Sequence, residues 1–129
     1  MTKILVISAR VDDRRGLDPI LNGTEWSVVD AADIVRAIDA LKRSAFPIVL
    51  FDRDLAGGAW QDTLRMLRAA SDRACVILLS NVSDEYLWNE VISLGGFDVL
   101  TRPFHKDQVV SMLDFAHTYW KTTWPAMKG

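Results

Sequence analysis

Ile48-Val49-Leu50-Phe51-Asp52-Arg53-Asp54-Leu55-Ala56-Gly57-Gly58 starts with four apolar residues, turns polar at Asp52 and ends on two glycines. An apolar run this short, without in-out alternation and followed by a turn signal, reads as a strand covered on both faces of a parallel sheet. Pro47 immediately before it punctuates its start. Working outward, similar runs fall at 4–7, 26–29 and 76–79, and a weaker one fits 97–101.

Between these runs the apolar spacing changes to that of helices. Ile34, Ile38 and Leu41 recur at one-turn intervals, as do Trp60, Leu64 and Leu67, and Leu87, Val91 and Leu94. Val109, Leu113, Ala116 and Trp120 extend the pattern over three turns. Each set gives one apolar stripe able to cover a sheet. The first helix must fall within 12–22, where Gly16 and Asp18-Pro19 disfavour it, so it is expected to be short, kinked or partly irregular. The order is (βα)5, and right-handed crossovers then predict an open, doubly wound, five-stranded parallel sheet of the α/β class.

Composition narrows the function. The chain of 129 residues is 50% hydrophobic and 25% charged, the make-up of one folded domain, with a net charge of −2. No basic excess supports a nucleic-acid surface. The single cysteine, Cys75, lies in an apolar run and reads as a small buried hydrophobe rather than a disulfide or metal ligand. No apolar stretch is long enough to span a bilayer, and the amino-terminal residues do not read as a signal peptide, so no membrane is expected and a cytoplasmic setting is the default.

In such sheets ligands bind outside the carboxyl ends of the strands, near the switch point. The residues there are Ser8, Ala9 and Arg10; Asp30; Asp52, Arg53 and Asp54; Ser80 and Asn81; Arg102 and Pro103. A carboxylate, a hydroxyl and a guanidinium at one rim suit a phosphoryl group: the first attacks, and the other two donate to its oxygens.

Three segments then resemble response-regulator receiver domains, the CheY-like family with a flavodoxin-like fold. The stretch beginning at Ile48 is similar to that family's third strand and loop, and Val76-Ile77-Leu78-Leu79-Ser80-Asn81 to its fourth strand. Gly95-Gly96-Phe97-Asp98-Val99-Leu100-Thr101-Arg102-Pro103-Phe104 is similar to its fifth. The resemblance runs from Lys3 to about Tyr119 and implies a receiver-like domain over 1–120 with a short tail at 121–129. It makes Asp52 the phosphoacceptor, with Ser80 and Arg102 acting on the phosphoryl oxygens and Asp54, Asn81 and Arg10 on the phosphate rim. It implies a signalling module rather than an enzyme, served by a sensor histidine kinase in a two-component phosphorelay.

The chain departs from the family at informative places. Where receivers end the first strand with two acids that hold Mg²⁺, this chain has Ser8 and Ala9; Arg102 replaces the usual Lys, and Val99 the aromatic switch residue. Mg²⁺ asks for near-octahedral oxygen ligands, and Asp52 with a backbone carbonyl near Asp54 makes a poor site for it. Arg102, with Arg10, is expected to pair with Asp52 through a planar fork in place of the metal. Asp12 and Asp13 read as the acidic first turn of a helix, with a reach back to the rim as the alternative.

Other features have plainer readings. His105 and His117 lack partners at ligand spacing and read as helix-start and helix-surface residues. The glycine pairs match no phosphate-binding loop, which leaves a flavodoxin-like small-ligand domain as a lesser alternative. Trp26 and Trp60 begin a strand and a helix and are expected to pack there. Trp88 and Trp120 mark a candidate interface on the helix 4–strand 5–helix 5 face, for a homodimer or another signalling protein. A pseudo-receiver that docks proteins without accepting phosphate remains the alternative function. A stand-alone receiver and a piece of a longer protein both remain open.

Overall fold

Along each central strand successive residues alternate between two apolar layers, which is why the sequence shows no polar face. Leu5, Ile7, Val49, Phe51, Val76 and Leu78 face one layer, while Ile4, Val6, Ile48, Leu50, Ile77 and Leu79 face the other. In the computed structural model, which describes residues 2–124, five parallel strands form one sheet in the order β2-β1-β3-β4-β5. They are β1 (Thr2–Ile7), β2 (Trp26–Ala31), β3 (Ile48–Asp52), β4 (Cys75–Ser80) and β5 (Asp98–Thr101). All five expected strands form, as does the doubly wound (βα)5 order.

Five helices cover the two faces. Leu17 and Leu21 of α1 (Val11–Leu21) share a layer with Val109, Leu113 and Ala116 of α5 (Lys106–Thr123). Across the sheet, Ala37 of α2 (Ile34–Arg43), Leu64 and Leu67 of α3 (Trp60–Ala70) and Leu87 and Val91 of α4 (Glu85–Ser93) build the other layer. Asp33 and Asp84 start α2 and α4 by accepting the backbone N–H groups of Arg36 and Leu87. Most of the 121–129 tail lies outside the described residues.

Helix α1 departs from expectation. It runs regularly for 11 residues with Pro19 inside. Pro19 sits in the last turn, and the helix closes beyond it when the Asn22 N–H donates to the Asp18 carbonyl at 2.9 Å. Gly16 is tolerated because the Phe104 ring packs where a side chain would project; a Cβ there would lie 2.9 Å from that ring. Close contact with the loop between β5 and α5 thus offsets the weak local propensity.

Packing also sorts the aromatic residues. Trp26 and Trp60 are buried at the starts of their elements, as expected. His117 is half-buried rather than a plain surface residue, its ring 5.2 Å from that of Trp26. Cys75 is buried, and burial pushes its thiol up to about 12.

Candidate functional site

Because β1 lies between β2 and β3, the connections from its two sides diverge and leave a crevice above the ends of β1 and β3. Asp52 ends β3 with only 3% of its surface exposed. Its Oδ1 accepts the Asp54 backbone N–H at 3.1 Å and an Arg102 Nη2 hydrogen at 2.9 Å. Asp52 Oδ2 takes part in no hydrogen bond among the described residues and is not sealed from water.

Arg102 follows β5, and its peptide bond to Pro103 is cis. Its guanidinium reaches Asp52 through one nitrogen only. The planar fork is made instead with Asp13, Nε to Oδ1 at 2.6 Å and Nη2 to Oδ2 at 2.8 Å. A third nitrogen, Nη1, donates to Asn81 Oδ1 at 3.3 Å. The expected Arg102–Asp52 contact is therefore present, but the fork belongs to another acid.

Asp13, expected first as part of an acidic first turn and only alternatively as a rim group, takes the alternative place. It is 1% exposed, and the Ser8 hydroxyl donates to its Oδ2 at 2.6 Å. It therefore carries a carboxylate back from α1 to the end of β1, beside Ser8. Asp12, its neighbour, points outward and is exposed. A signal was present: Asp13, Leu17 and Leu21 are spaced by four, which sets the acid on the buried stripe of α1.

Electrostatics agree with the geometry. Burial alone would raise the Asp13 carboxyl, but hydrogen bonds from Arg102 and Ser8, with the charges of Arg102 and Arg10, hold it below the ordinary aspartate value. For Arg102, burial opposes its charge, and the hydrogen bonds and charges of Asp13 and then Asp52 more than restore it.

The remaining rim residues separate into two groups. Ser80 is buried at the end of β4, where its oxygen accepts the Val82 N–H at 3.2 Å and faces an Arg53 Nη1 at 3.4 Å. Arg10 does not join Asp52: it lies 3.8 Å from Asp54, and both side chains are largely exposed. Its backbone N–H instead donates to Ser8 Oγ at 3.0 Å, which holds the loop after β1 in a local turn. Asp30 pairs with Arg14, away from the crevice.

Trp88 and Trp120 are drawn to different partners. Trp88 on α4 donates its ring N–H to Asp98 of β5 at 3.2 Å. Trp120 packs into the α1–α5 layer, its ring stacked 6.1 Å from His117. The aromatic groups beside β5 are instead Phe97, Phe115 and Tyr119, with ring centroids 5.7 and 5.4 Å apart from Phe97 outward. Val99 is buried in β5.

Could this rim hold Mg²⁺? Both oxygens of Asp13 and one of Asp52 are already taken by Arg102, Ser8 or the backbone, which leaves Asp52 Oδ2 as the one free oxygen of these two buried carboxylates. Among the described residues no three His, Cys, Asp or Glu side chains gather as metal ligands. The donor set does not fit the ion.

Comparison with known proteins supports the fold and the family. The chain is 29% identical over 76 residues to the cell cycle transcriptional regulator CtrA of Caulobacter vibrioides, covering 59% of this chain and 33% of CtrA. It is 26% identical over 113 residues to the transcriptional regulatory protein FixJ of Bradyrhizobium diazoefficiens, covering 88% of this chain and 55% of FixJ. The chain thus spans about a third to a half of the curated relatives it matches. The chemotaxis protein CheY4 of Vibrio cholerae superposes with a TM-score of 0.79 at 17% identity, over 90% of this chain and 98% of CheY4, which shows a shared fold. A family model for the response regulator receiver domain matches residues 4–114, nearly every element described above. This chain belongs to the response regulator receiver domain family.

Proposed function

We propose that this chain is an atypical receiver of a two-component phosphorelay and that Asp52 is its phosphoacceptor. The observation that carries the reading is the division of labour at Asp52: Oδ1 is anchored by Asp54 and Arg102, while Oδ2 is left without a hydrogen bond and in reach of solvent. In the reaction Oδ2 attacks the phosphorus of a phosphohistidine on a sensor kinase. The phosphorus–nitrogen bond breaks, its electron pair returns to the imidazole, and an acyl phosphate forms on Asp52. Arg102 draws off charge as it gathers on the phosphoryl oxygens, with Arg53, Ser80 and Asn81 within the same rim.

A second reading has its own support. Arg102 already pairs with Asp52 and Asp13 together, which suits a domain held in one state and used for docking alone. In either reading the partner surface lies along α4, β5 and α5, where Tyr86, Trp88, Phe115 and Tyr119 are exposed. With Val99 in place of an aromatic residue, any switching at that face proceeds without a swinging ring.

The test is incubation with a small acyl phosphate donor, read by intact mass, beside Asp52→Asn. A gain of one phosphoryl group that is lost in the variant supports the phosphoacceptor. No gain, together with no response to a stable beryllofluoride mimic, selects the docking module.

A further inference from the structure

We propose that Arg102 is the resident cation of this site, joining Asp13 and Asp52 as a divalent ion would join two carboxylates, so that the site takes up no Mg²⁺ while Arg102 is present.

Three observations meet here. First, a carboxylate reaches the end of β1 from α1: the Ser8 hydroxyl there donates to Asp13 at 2.6 Å. Second, one guanidinium contacts both buried carboxylates, through Nε and Nη2 to Asp13 and through Nη2 again to Asp52. The side chains are 12%, 1% and 4% exposed for Arg102, Asp13 and Asp52, so the three charges share one weakly hydrated space. Third, both Asp13 oxygens and Asp52 Oδ1 already accept N–H or O–H donors, so Asp52 Oδ2 is the one oxygen of the two carboxylates left for a metal. A hard cation cannot share the occupied oxygens without displacing the fork, and Mg²⁺ sheds its own water reluctantly.

The fork also explains why arginine replaces lysine. A lysine ammonium is a point charge and can sit between carboxylates and a metal; a guanidinium spreads its hydrogens in a plane and fits two acids at once. The cation is therefore covalently part of the chain, carries one charge instead of two, and needs no supply from solution.

The proposal does not depend on whether Asp52 accepts phosphate, because its test reads metal binding alone. Mn²⁺, a paramagnetic stand-in for Mg²⁺, is titrated into the full chain and followed by electron paramagnetic resonance, with circular dichroism to check folding. The wild-type chain should show no saturable uptake that Asp52→Asn removes. Arg102→Ala leaves Asp13 and Asp52 with their charges unmatched, and should gain a saturable Mn²⁺ site that binds ~10-fold or more tighter than any residual uptake by the wild-type chain. Adding Asp52→Asn to that variant should abolish the gain. Should Arg102→Ala fold only when Mn²⁺ is added, the metal has taken over the role of the guanidinium and the proposal stands. Arg102→Gln, which keeps a donor but no charge, supplies the same reading if the alanine variant fails to fold under any condition. A wild-type Mn²⁺ site that depends on Asp52, or folded Arg102 variants with no gain, would overturn the assignment.

Discussion

Arg102 and Asp13, 89 residues apart in sequence, meet through two hydrogen bonds of 2.6 and 2.8 Å at the mouth of the sheet. This contact ties the first turn of α1 to the residue after β5, across the crevice between β1 and β3. The loop after β5 cannot move without either breaking the pair or carrying α1 with it.

Removing Asp13 should therefore cost more than an ordinary surface change. Asp13→Ala leaves Arg102 with Asp52 and Asn81 but strips one carboxylate from a mostly buried pair. We expect a loss of roughly 3 kcal/mol, the low end for breaking a buried pair because Arg102 still touches water. Urea unfolding checks it, and a loss under about 0.5 kcal/mol would mean the fork is worth no more than a surface ion pair.

The same carboxylate makes stability depend on pH. Asp13 is held below its ordinary value in the folded chain. Its contribution is thus complete above the unfolded value, about 4, and is lost as pH falls through the lower folded value. Asp13→Asn has no such titration. The stability gap between wild type and Asp13→Asn should stay level from neutral pH down to about 5 and close below about 4. A gap that closes instead on the alkaline side would contradict the assignment.

Gly96 is a packing constraint. A Cβ there would lie 2.5 Å from a Val91 methyl and 3.0 Å from the Val91 carbonyl oxygen, at the join of α4 and β5. The carbonyl cannot swing aside as a side chain can. Gly96→Ala should cost about 2 kcal/mol, seen as a Tm lowered by roughly 5–10 °C. An unchanged Tm would show that α4 shifts freely.

Cys75 should be inert in the folded chain. Its thiol lies in the core beside the Ala116 carbonyl, with its pKa pushed up to about 12. Thiolate, the reactive form, is then scarce at neutral pH. A disulfide exchange reagent should label it only in denaturant, and rapid labelling of the native chain would place it elsewhere than the core.

The face along α4, β5 and α5 can be tested at Phe115, whose side chain touches Phe97 yet is 66% exposed. Phe115→Ser should change stability by about 0.5 kcal/mol or less, while weakening self-association or partner binding. Sedimentation and pull-down that match wild type would remove this face from the proposal.

Amino-acid order alone was enough for the sheet. Short apolar runs at 48–51 and 76–79, separated by one-turn spacings, read as buried parallel strands and covering helices, because both periodicities are local properties of the backbone. The same locality misled at α1. Gly16 and Pro19 argue against a helix when only neighbours count, and the Phe104 ring that accepts Gly16 lies far along the chain.

Asp52, Ser80 and Arg102 were legible as rim residues because each follows directly from where its strand ends. Which acid Arg102 would fork was not. Asp13 and Asp52 differ in sequence only by their elements, and the choice between them depends on how α1 is tilted against β5. Strand positions follow from periodicity, which any short window contains. The pairing of Arg102 with Asp13, and with it the unsuitability of this rim for Mg²⁺, arises only when the sheet brings three distant segments within hydrogen-bond reach.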